Sequence, residues 1–273
     1  MIHTDAIIIA KGAPNQCRDG RKVMCAIGVS QSLGLIRIYP LSVKNDGDIG
    51  IWSVVRLGLA ISNTDNRKES YRVEKYDVIG QMKSAAEKLD LMESCILESG
   101  DQDPIDYQNE RRKSIAIVKS VGPVGASLIA REATSGHAST DDDDEGFVVT
   151  QANFPFKPYV QWVSKQGKSH TTHLVGQEVY MGMMHNQSTP FRIFENLRIG
   201  DRDYEHWMVL GNMKDRRNVW VAAHLHRQKK TAQRPMFTSL WITDGIEKGW
   251  PYETKGANAA RDVEKEPLFS SII

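Results

Sequence analysis

Two histidine pairs have the spacing best suited to chemistry. His224 and His226 are two residues apart in an apolar stretch, so on a β-strand both imidazoles would face the same side. Imidazoles arranged in this way can bind a metal or act as acid and base on a phosphodiester. The following Arg-Gln-Lys-Lys favours the phosphodiester, which makes both histidines candidate catalytic residues. Alternating polar residues on an exposed strand explain the pattern equally well.

The second pair is His170 and His173, with Glu178 following. On a helix that begins near Ser169, the two imidazoles would share a face and Glu178 would supply a third ligand for a metal ion. Helical zinc motifs usually place two histidines four residues apart around a glutamate, so polar capping or surface roles are the alternative. All three residues are candidate metal ligands, and the sequence identifies no particular cofactor.

Arginine and tyrosine recur together in the first third of the chain. In residues 34–41, GLIRIYPL, strand alternation places Arg37 and Tyr39 on one face and Ile36 and Ile38 on the other. Residues 65–72, DNRKESYR, repeat the pairing. A guanidinium can bind a phosphate while a phenol ring stacks on a base. We therefore predict a nucleic-acid-binding set that comprises Arg37, Tyr39, Arg67, Glu69, Tyr71 and Arg72.

Each member of this set has a predicted role. The arginines would contact phosphates, the tyrosines would stack on bases, and Glu69 would orient Arg67 or accept from a base edge. A solvated strand edge and a charged turn between strands would look almost the same. The interpretation requires the two stretches to lie together in space.

The elements that would position these residues change along the chain. The first eighty residues contain short β-branched runs separated by Gly, Asn, Asp and Pro, as in a meander or small barrel. Apolar residues recur at helical spacing over residues 82–97, which predicts one packed helix. We predict an α+β fold: a β-barrel-like N-terminal domain, of the oligonucleotide-binding (OB) or PUA-like kind, and a mixed α/β C-terminal region.

The predicted domain boundaries follow from composition. Residues 1–133 would form the barrel-like domain, and the acidic residues 134–146 an exposed loop or linker. Residues 147–230 would form a mixed region with a hairpin whose basic tip reads MKDRR. Residues 231–273 have scattered aromatic residues without a period, which indicates a wrapping tail that could contact a protein partner. The sequence contains no recognisable internal repeat.

Composition limits the function classes. The 273 residues include 35 basic and 34 acidic residues, a net charge of +1, so any surface for nucleic acid must be a local patch. Three cysteines without CxxC spacing argue against a disulfide framework and a thiolate zinc site. No signal peptide or membrane span is evident, and we expect a cytoplasmic protein without membrane contacts. Walker A, GxGxxG, HExxH and GxSxG motifs are absent from the sequence.

Four short motifs occur in order at residues 11–15, 23–28, 36–40 and 65–71. They read KGAPN, VMCAIG, IRIYP and DNRKESY, and they resemble an uncharacterised family of small bacterial and archaeal proteins over about the first seventy residues. The resemblance implies that the arginine and tyrosine positions are a recurring set. The family's later Cys-x-x-x-His element and Trp-Glu pair have only a faint counterpart here, since the cysteines are missing and Gln177 precedes Glu178.

These features support three functions. The first is a non-catalytic nucleic-acid-binding protein, DNA- or RNA-binding, in a bacterial antiviral defence or mobile-element system. The second is a histidine-dependent phosphodiester or nucleotide hydrolase. The third is a scaffold subunit of a larger complex that uses the C-terminal tail. Whether the protein is an enzyme is left open by the sequence.

Overall fold

The computed structural model describes residues 1–16, 22–42, 49–62, 64–130, 154–186 and 188–230. The predicted acidic loop at residues 134–146 and the predicted tail at residues 231–273 lie outside the described residues. No helix among those described is long and apolar enough to span a bilayer.

The first unit is a closed barrel. Its strands are β1 (Ile2–Lys11), β2 (Asn15–Gln16), β3 (Lys22–Ser30), β4 (Gly34–Ser42), β5 (Ser53–Ile61) and β6 (Ser70–Gln81). They pair in the order β1-β5-β6-β4-β3-β2, and β1 also pairs with β3, so five strands close on themselves. The pairing of β4 with β6 is parallel, whereas the other pairings are antiparallel.

Strand alternation explains how the barrel fills its interior. Ile36 and Ile38 on β4 are buried with residues of β3 and β5 in one cluster inside the barrel. Leu35 on the opposite face packs against a different cluster, outside the barrel. The predicted alternation along β4 is therefore confirmed. The turn before β4 ends at Gly34, whose φ of 70° suits glycine because it has no Cβ.

Two helices connect the first unit to the second. Helix α1 (Ala85–Ser94) begins after Ser84, whose side chain accepts from the Glu87 N–H, and it falls within the predicted helical stretch. Helix α2 (Pro104–Glu110) begins after Asp103, which accepts from the Ile105 N–H, and it has Pro104 in its first turn.

The second unit is a six-stranded sheet with two helices. It contains β7 (Ile115–Lys119), β8 (Gly125–Ala130), β9 (Phe156–Val163), β10 (Ser169–Leu174), α3 (Gln177–His185), α4 (Arg192–Asn196), β11 (Tyr204–Asn212) and β12 (Trp220–Lys229). The strand order is β7-β11-β12-β10-β9-β8, and β10 and β12 pair in parallel. Strands β11 and β12 form the predicted hairpin with a basic tip.

The two units share one connectivity. In each unit the strands, taken in chain order, pair as first-fifth-sixth-fourth-third-second, and the fourth and sixth strands are parallel. A further bond from Val121 N to Val163 O, 2.9 Å, links the ends of β7 and β9 as β1 and β3 are linked in the first unit. The second sheet thus repeats the strand order of the closed first barrel, which is the Greek-key order that OB folds use.

The predicted fold class is confirmed by this architecture: a closed barrel in the N-terminal region precedes a second sheet with a few helices. Strands β7 and β8 belong to the second sheet although they precede residue 134. We therefore propose that the units divide at α1 and α2 rather than at the acidic residues.

A common apolar core joins the units. One buried cluster contains Ile9 and Ile27 on the outside of the first barrel and Ile117 and Trp207 from the second sheet. Main-chain contacts reinforce it: Gly12 forms a bridge with Gly176, and Ala13 N donates to Val175 O at 2.7 Å. The units therefore pack as one body.

Candidate nucleic-acid interface

The two arginine and tyrosine stretches lie side by side. Strands β4 and β6 pair with Arg37 opposite Ser70 and Ile38 opposite Tyr71. Arg37 N also donates to Glu69 O at 2.7 Å. The structure thus brings together the stretches at residues 34–41 and 65–72, as the prediction required.

Arg37 is buried at the junction between the units. Its Nη2 donates to Ser114 O at 2.7 Å, and the residue is 6% exposed. The guanidinium lies against Gly211 of β11, where a Cβ would be 3.0 Å from Nη2. Burial lowers the pKa of Arg37, and the nearby Cys25 opposes that shift. Arg37 therefore holds β4 against the second unit and does not face solvent.

Arg67 makes a second link across the junction. Its Nη1 donates to Asn212 O at 2.6 Å, and its Nε and Nη2 bind the Asp65 carboxylate. Burial favours the neutral acid, but the hydrogen bonds from Arg67 outweigh it and lower the pKa of Asp65 to about 2. Both side chains of this ion pair are 9% exposed.

Glu69 connects the first unit to the start of the second. The Ser114 hydroxyl donates to Glu69 Oε2 at 3.0 Å, and Lys113 Nζ lies 3.8 Å from Oε1. Ser114 O also accepts from Asn212 N at 3.0 Å in addition to Arg37. Arg37, Arg67 and Glu69 therefore fix β4 and the turn before β6 against Ser114 and Asn212 of the second unit.

The remaining predicted contacts have different surroundings. Tyr71 packs against the core inside the barrel, whereas Tyr39 is 42% exposed. Arg72 is exposed and forms an ion pair with Glu74, 2.5 Å. Tyr39 and Arg72 directly follow Ile38 and Tyr71, which are paired, and both are exposed. Two of the six predicted residues are thus on the surface.

Three turns rich in cations meet beside the junction, and we call them the basic turns. They are residues 64–69 between β5 and β6, residues 111–113 between α2 and β7, and residues 213–219 between β11 and β12. Together they contain eight Lys and Arg but three Asp and Glu, so their net charge is positive. The exposed cations are Lys68, Arg111, Arg112, Lys113, Lys214 and Arg216, and Arg217 is half-buried.

Direct contacts hold the basic turns together. Arg217 donates to Asn66 Oδ1, which joins the first turn to the third. The Asn212 side-chain amide donates to Lys113 O at 3.3 Å and to Arg217 O at 3.0 Å. A cleft of about 440 Å³ between the two turns is lined by Ser62, Thr64, Asp65, Asn66, Lys214, Asp215 and Arg217. OB folds use the loop between their last two barrel strands to bind oligonucleotides. Residues 64–69 and 213–219 have that position in the strand order of the first and second units.

The candidate catalytic histidines occupy another part of the second unit. His224 Nδ1 is 2.5 Å from Glu178 Oε1. A candidate catalytic residue on β12 therefore contacts a candidate metal ligand on α3. His226 lies between the rings of Trp52 and Trp207, at centroid distances of 5.3 and 5.7 Å. The Nε2 atoms of both histidines are buried and have no hydrogen-bond partner among the described residues. Neither Nε2 is therefore presented to a substrate in this conformation.

The charge states of this cluster follow from its neighbours. Burial, together with the nearby His224, Arg227 and Lys88, lowers the pKa of His226 to about 3. Burial favours protonation of Glu178, but the adjacent His224 and Arg227 hold the pKa of Glu178 below its usual range. His226 is consequently neutral at physiological pH, beside an ionised Glu178.

The predicted helix at Ser169 is wrong, because residues 169–174 form β10. Thr171 and Thr172 are β-branched and suit a strand, and the helix begins later, at Gln177. His170 Nε2 binds Asp103 Oδ2 at 2.8 Å, whereas His173 Nε2 contacts the Tyr180 hydroxyl at 3.1 Å.

The three candidate metal ligands thus have three different partners. Glu178 binds His224, and positions 170 and 173 alternate onto opposite faces of β10. The structure does not bring His170, His173 and Glu178 together. Among the described residues, no group of three or more His, Cys, Asp or Glu could hold a metal ion.

Sequence reasoning missed the basic turns as a set. The predicted basic tip, MKDRR at residues 213–217, has no local signal that it lies against Asn66, which is 151 positions away from Arg217. The run Arg111, Arg112 and Lys113 is the signal that could have pointed to a phosphate-binding surface.

Comparison with known proteins gives one family match. The model of a domain of unknown function, DUF8758, matches residues 3–94, a stretch that includes all four motifs and the first barrel. No curated protein matches the chain.

Two solved structures are distant neighbours. One is the crystal structure of the tetrameric p202 HIN2, with 8% identity, a TM-score of 0.28, and coverage of 84% of this chain and 95% of that chain. The other is a murine DNA-binding protein bound to double-stranded DNA, with 8% identity, a TM-score of 0.25, and coverage of 87% of this chain and 100% of that chain. TM-scores this low carry no argument about shared function. What the comparisons show is that residues 3–94 are similar to a domain of unknown function.

Proposed function

We propose that this protein binds nucleic acid through the basic turns. The observation that carries the proposal is the convergence of these three turns beside the junction of two barrel-like units. Clustered Lys and Arg neutralise phosphates, and affinity for nucleic acid depends on such clusters more than on total charge.

The residues divide into contacting and positioning groups. Lys68, Lys214 and Arg216 would contact phosphates, together with the cations at residues 111–113. Tyr39 and Arg72 are exposed on the neighbouring strands β4 and β6, and Tyr39 would stack on a base. Arg37 and Arg67 would act indirectly, because each donates to a main-chain carbonyl across the junction.

The test measures binding as a function of salt. Fluorescence anisotropy with labelled single- and double-stranded DNA and RNA oligonucleotides would compare the wild type with the double variant Lys214→Ala and Arg216→Ala. Each lost phosphate contact reduces the slope of log K against log salt by about 1, so we expect a slope shallower by about 2. Affinity at low salt should fall at least tenfold.

A matched control removes two exposed cations elsewhere. Lys75 lies on β6 and Lys165 follows β9, and both are exposed. The double variant Lys75→Ala and Lys165→Ala should bind oligonucleotides as the wild type does. Equal losses in both variants, or unchanged binding in the first, would rule out the basic turns as the interface. Arg37→Ala is a poor test, because it also breaks the contact with Ser114 O.

The finer predictions extend this proposal. A preference for DNA or RNA stays a prediction, and the oligonucleotide binding series tests it. A role in a bacterial defence or mobile-element system also stays a prediction. A histidine-dependent hydrolase also stays a prediction, and the Glu178 and His224 contact is the observation in its favour. The scaffold hypothesis depends on residues 231–273, which lie outside the described residues.

A further inference from the structure

A second basic surface lies at the opposite end of the β11 and β12 hairpin from its tip. Two adjoining cavities, of about 440 and 610 Å³, share Tyr204 and Arg227 as lining residues. We call this surface the arginine groove and define it by Lys88, Arg192, Arg198, Tyr204 and Arg227. From the tip to Arg227 the strand runs about eight residues, which is roughly 26 Å.

Four different elements supply the groove with positive charge. Lys88 comes from α1, Arg192 from α4, Arg198 from the turn after α4, and Arg227 from β12. The carboxylates that line the two cavities are Glu178 and Glu195, and Glu178 is already bound to His224. Cations therefore exceed carboxylates on the walls.

Two of these cations are held by aromatic rings. The Arg198 guanidinium lies 5.5 Å from the centroid of Tyr204, and Lys88 Nζ lies 5.6 Å from that of Trp52. Cation–π contacts position a charge without neutralising it. Within the described residues, Arg192 and Arg227 make no side-chain hydrogen bond or close ion pair. The groove thus contains preorganised cations whose charge is not balanced by a bound carboxylate.

The electrostatic state of His226 agrees with this description. Burial is the main cause of its lowered pKa, and Arg227 and Lys88 lower the pKa further, so their charges act on a residue that lines the groove. Guanidinium groups bind the oxygens of phosphates in pairs and are suited to a chain of phosphates. The larger cavity, lined by Arg192, Arg198 and Arg227, has space for such a chain.

We propose that the arginine groove binds a chain of two or more phosphates. The chain could come from a free nucleoside polyphosphate or from the backbone of a nucleic acid that also contacts the basic turns. The second source depends on the proposed function, whereas the first does not.

The first measurement is calorimetric titration of the full-length protein with inorganic tripolyphosphate. If the source is a free polyphosphate, the wild type binds tripolyphosphate, and Arg192→Ala with Arg227→Ala raises the Kd at least tenfold. Lys214→Ala with Arg216→Ala leaves that Kd unchanged, because those residues lie at the other end of the hairpin. The Arg→Lys versions of the groove variant keep the charge and should give an intermediate Kd.

The second measurement uses oligonucleotides of increasing length. If the source is a nucleic acid backbone, the groove variant weakens binding of strands long enough to reach both surfaces and leaves shorter strands unaffected. The control variant with Lys75→Ala and Lys165→Ala should change neither measurement, and circular dichroism confirms folding of each variant. The proposal is overturned if tripolyphosphate does not bind and the groove variant leaves long strands unaffected. Loss of oligonucleotide binding in the basic-turn variant alone would then still support the proposed function.

Discussion

Arg37 and Arg67 lie close together where the units meet, and their contacts show why each charge can be buried there. Arg67 is neutralised by Asp65, and both guanidinium groups donate to carbonyl oxygens of the segments that begin or end strands in the second unit. Removing one partner of such a contact leaves the other group buried and unpaired, which costs about 1 to 3 kcal/mol. The two arginines therefore stabilise the arrangement on which the basic turns depend.

His226 makes stability depend on pH. Its pKa is about 3 in the folded protein, against about 6.5 in an unfolded chain. Between these values the unfolded chain binds a proton that the folded chain does not, so the free energy of unfolding falls as pH decreases below about 6.5. One such histidine contributes a slope that approaches about 1.4 kcal/mol per pH unit.

The variant His226→Phe removes this contribution and keeps an aromatic ring between the two tryptophans. Urea unfolding from pH 7.5 to 5, above the range where carboxylates titrate, should show a flatter profile than that of the wild type. His206 should still contribute, because burial lowers its pKa as well. His3→Phe, at an exposed position, is the control, and an unchanged profile in His226→Phe would contradict the assignment.

At the scale of elements, Gly176 permits the close approach of α3 and β12. A Cβ at this position would lie 2.8 Å from Ala223 O, and a main-chain oxygen cannot move aside as a flexible side chain can. The φ of −64° suits any residue, so the requirement for glycine is steric. This approach also brings Glu178 on α3 to His224 on β12.

Gly176→Ala should therefore destabilise the protein by about 1 to 3 kcal/mol, because either α3 or β12 must shift. The measurement is urea unfolding followed by circular dichroism. Gly50→Ala is the matched control, since its Cβ would lie 3.6 Å from Ser53 Oγ, an ordinary contact. Equal stability of the two variants would show that the strand and helix can separate without cost.

Local patterns predicted many of the elements but not their pairings. Alternation in GLIRIYPL specified which residues of β4 enter the barrel, and the basic MKDRR specified a hairpin tip. In SHTTH, the three-residue spacing of the histidines predicts a helix. The β-branched threonines between them instead form part of β10. The parallel pairing of β4 with β6 has no local signal, because β5 intervenes.

The site was predicted less well for a physical reason. An arginine on a strand face looks the same in sequence whether it meets solvent or a carbonyl, and the carbonyl that Arg37 meets is 77 residues away. The shared connectivity of the units is equally hidden in the sequence. Many different side chains can give the same pattern of buried and exposed positions, so two units can share a strand order without similar sequences.

At the scale of the whole molecule, the units should unfold together. The cluster that contains Ile9, Ile27, Ile117 and Trp207 is contributed by both units, so separating them exposes a large apolar surface. Urea unfolding followed by tryptophan fluorescence and by far-ultraviolet circular dichroism should give coincident single transitions. Two resolved transitions would contradict this expectation.

A fragment of residues 1–83 provides a further check. It contains all strands of the first barrel but leaves Ile9, Ile27 and Trp52 without their partners. We expect it to bind a hydrophobic dye or to self-associate, and we expect the full chain to do neither.

The contacts of Ser114 affect the rate at which this protein associates with a ligand. The carbonyl and hydroxyl groups of Ser114 bond to Arg37 and Glu69 of the first unit, and Arg67 bonds to Asn212 O nearby, so the units cannot rotate past each other without breaking all three contacts. A surface held in this way is formed before the encounter and needs no closing step. Its association rate should then be set by diffusion and long-range attraction, and should fall smoothly as ionic strength rises.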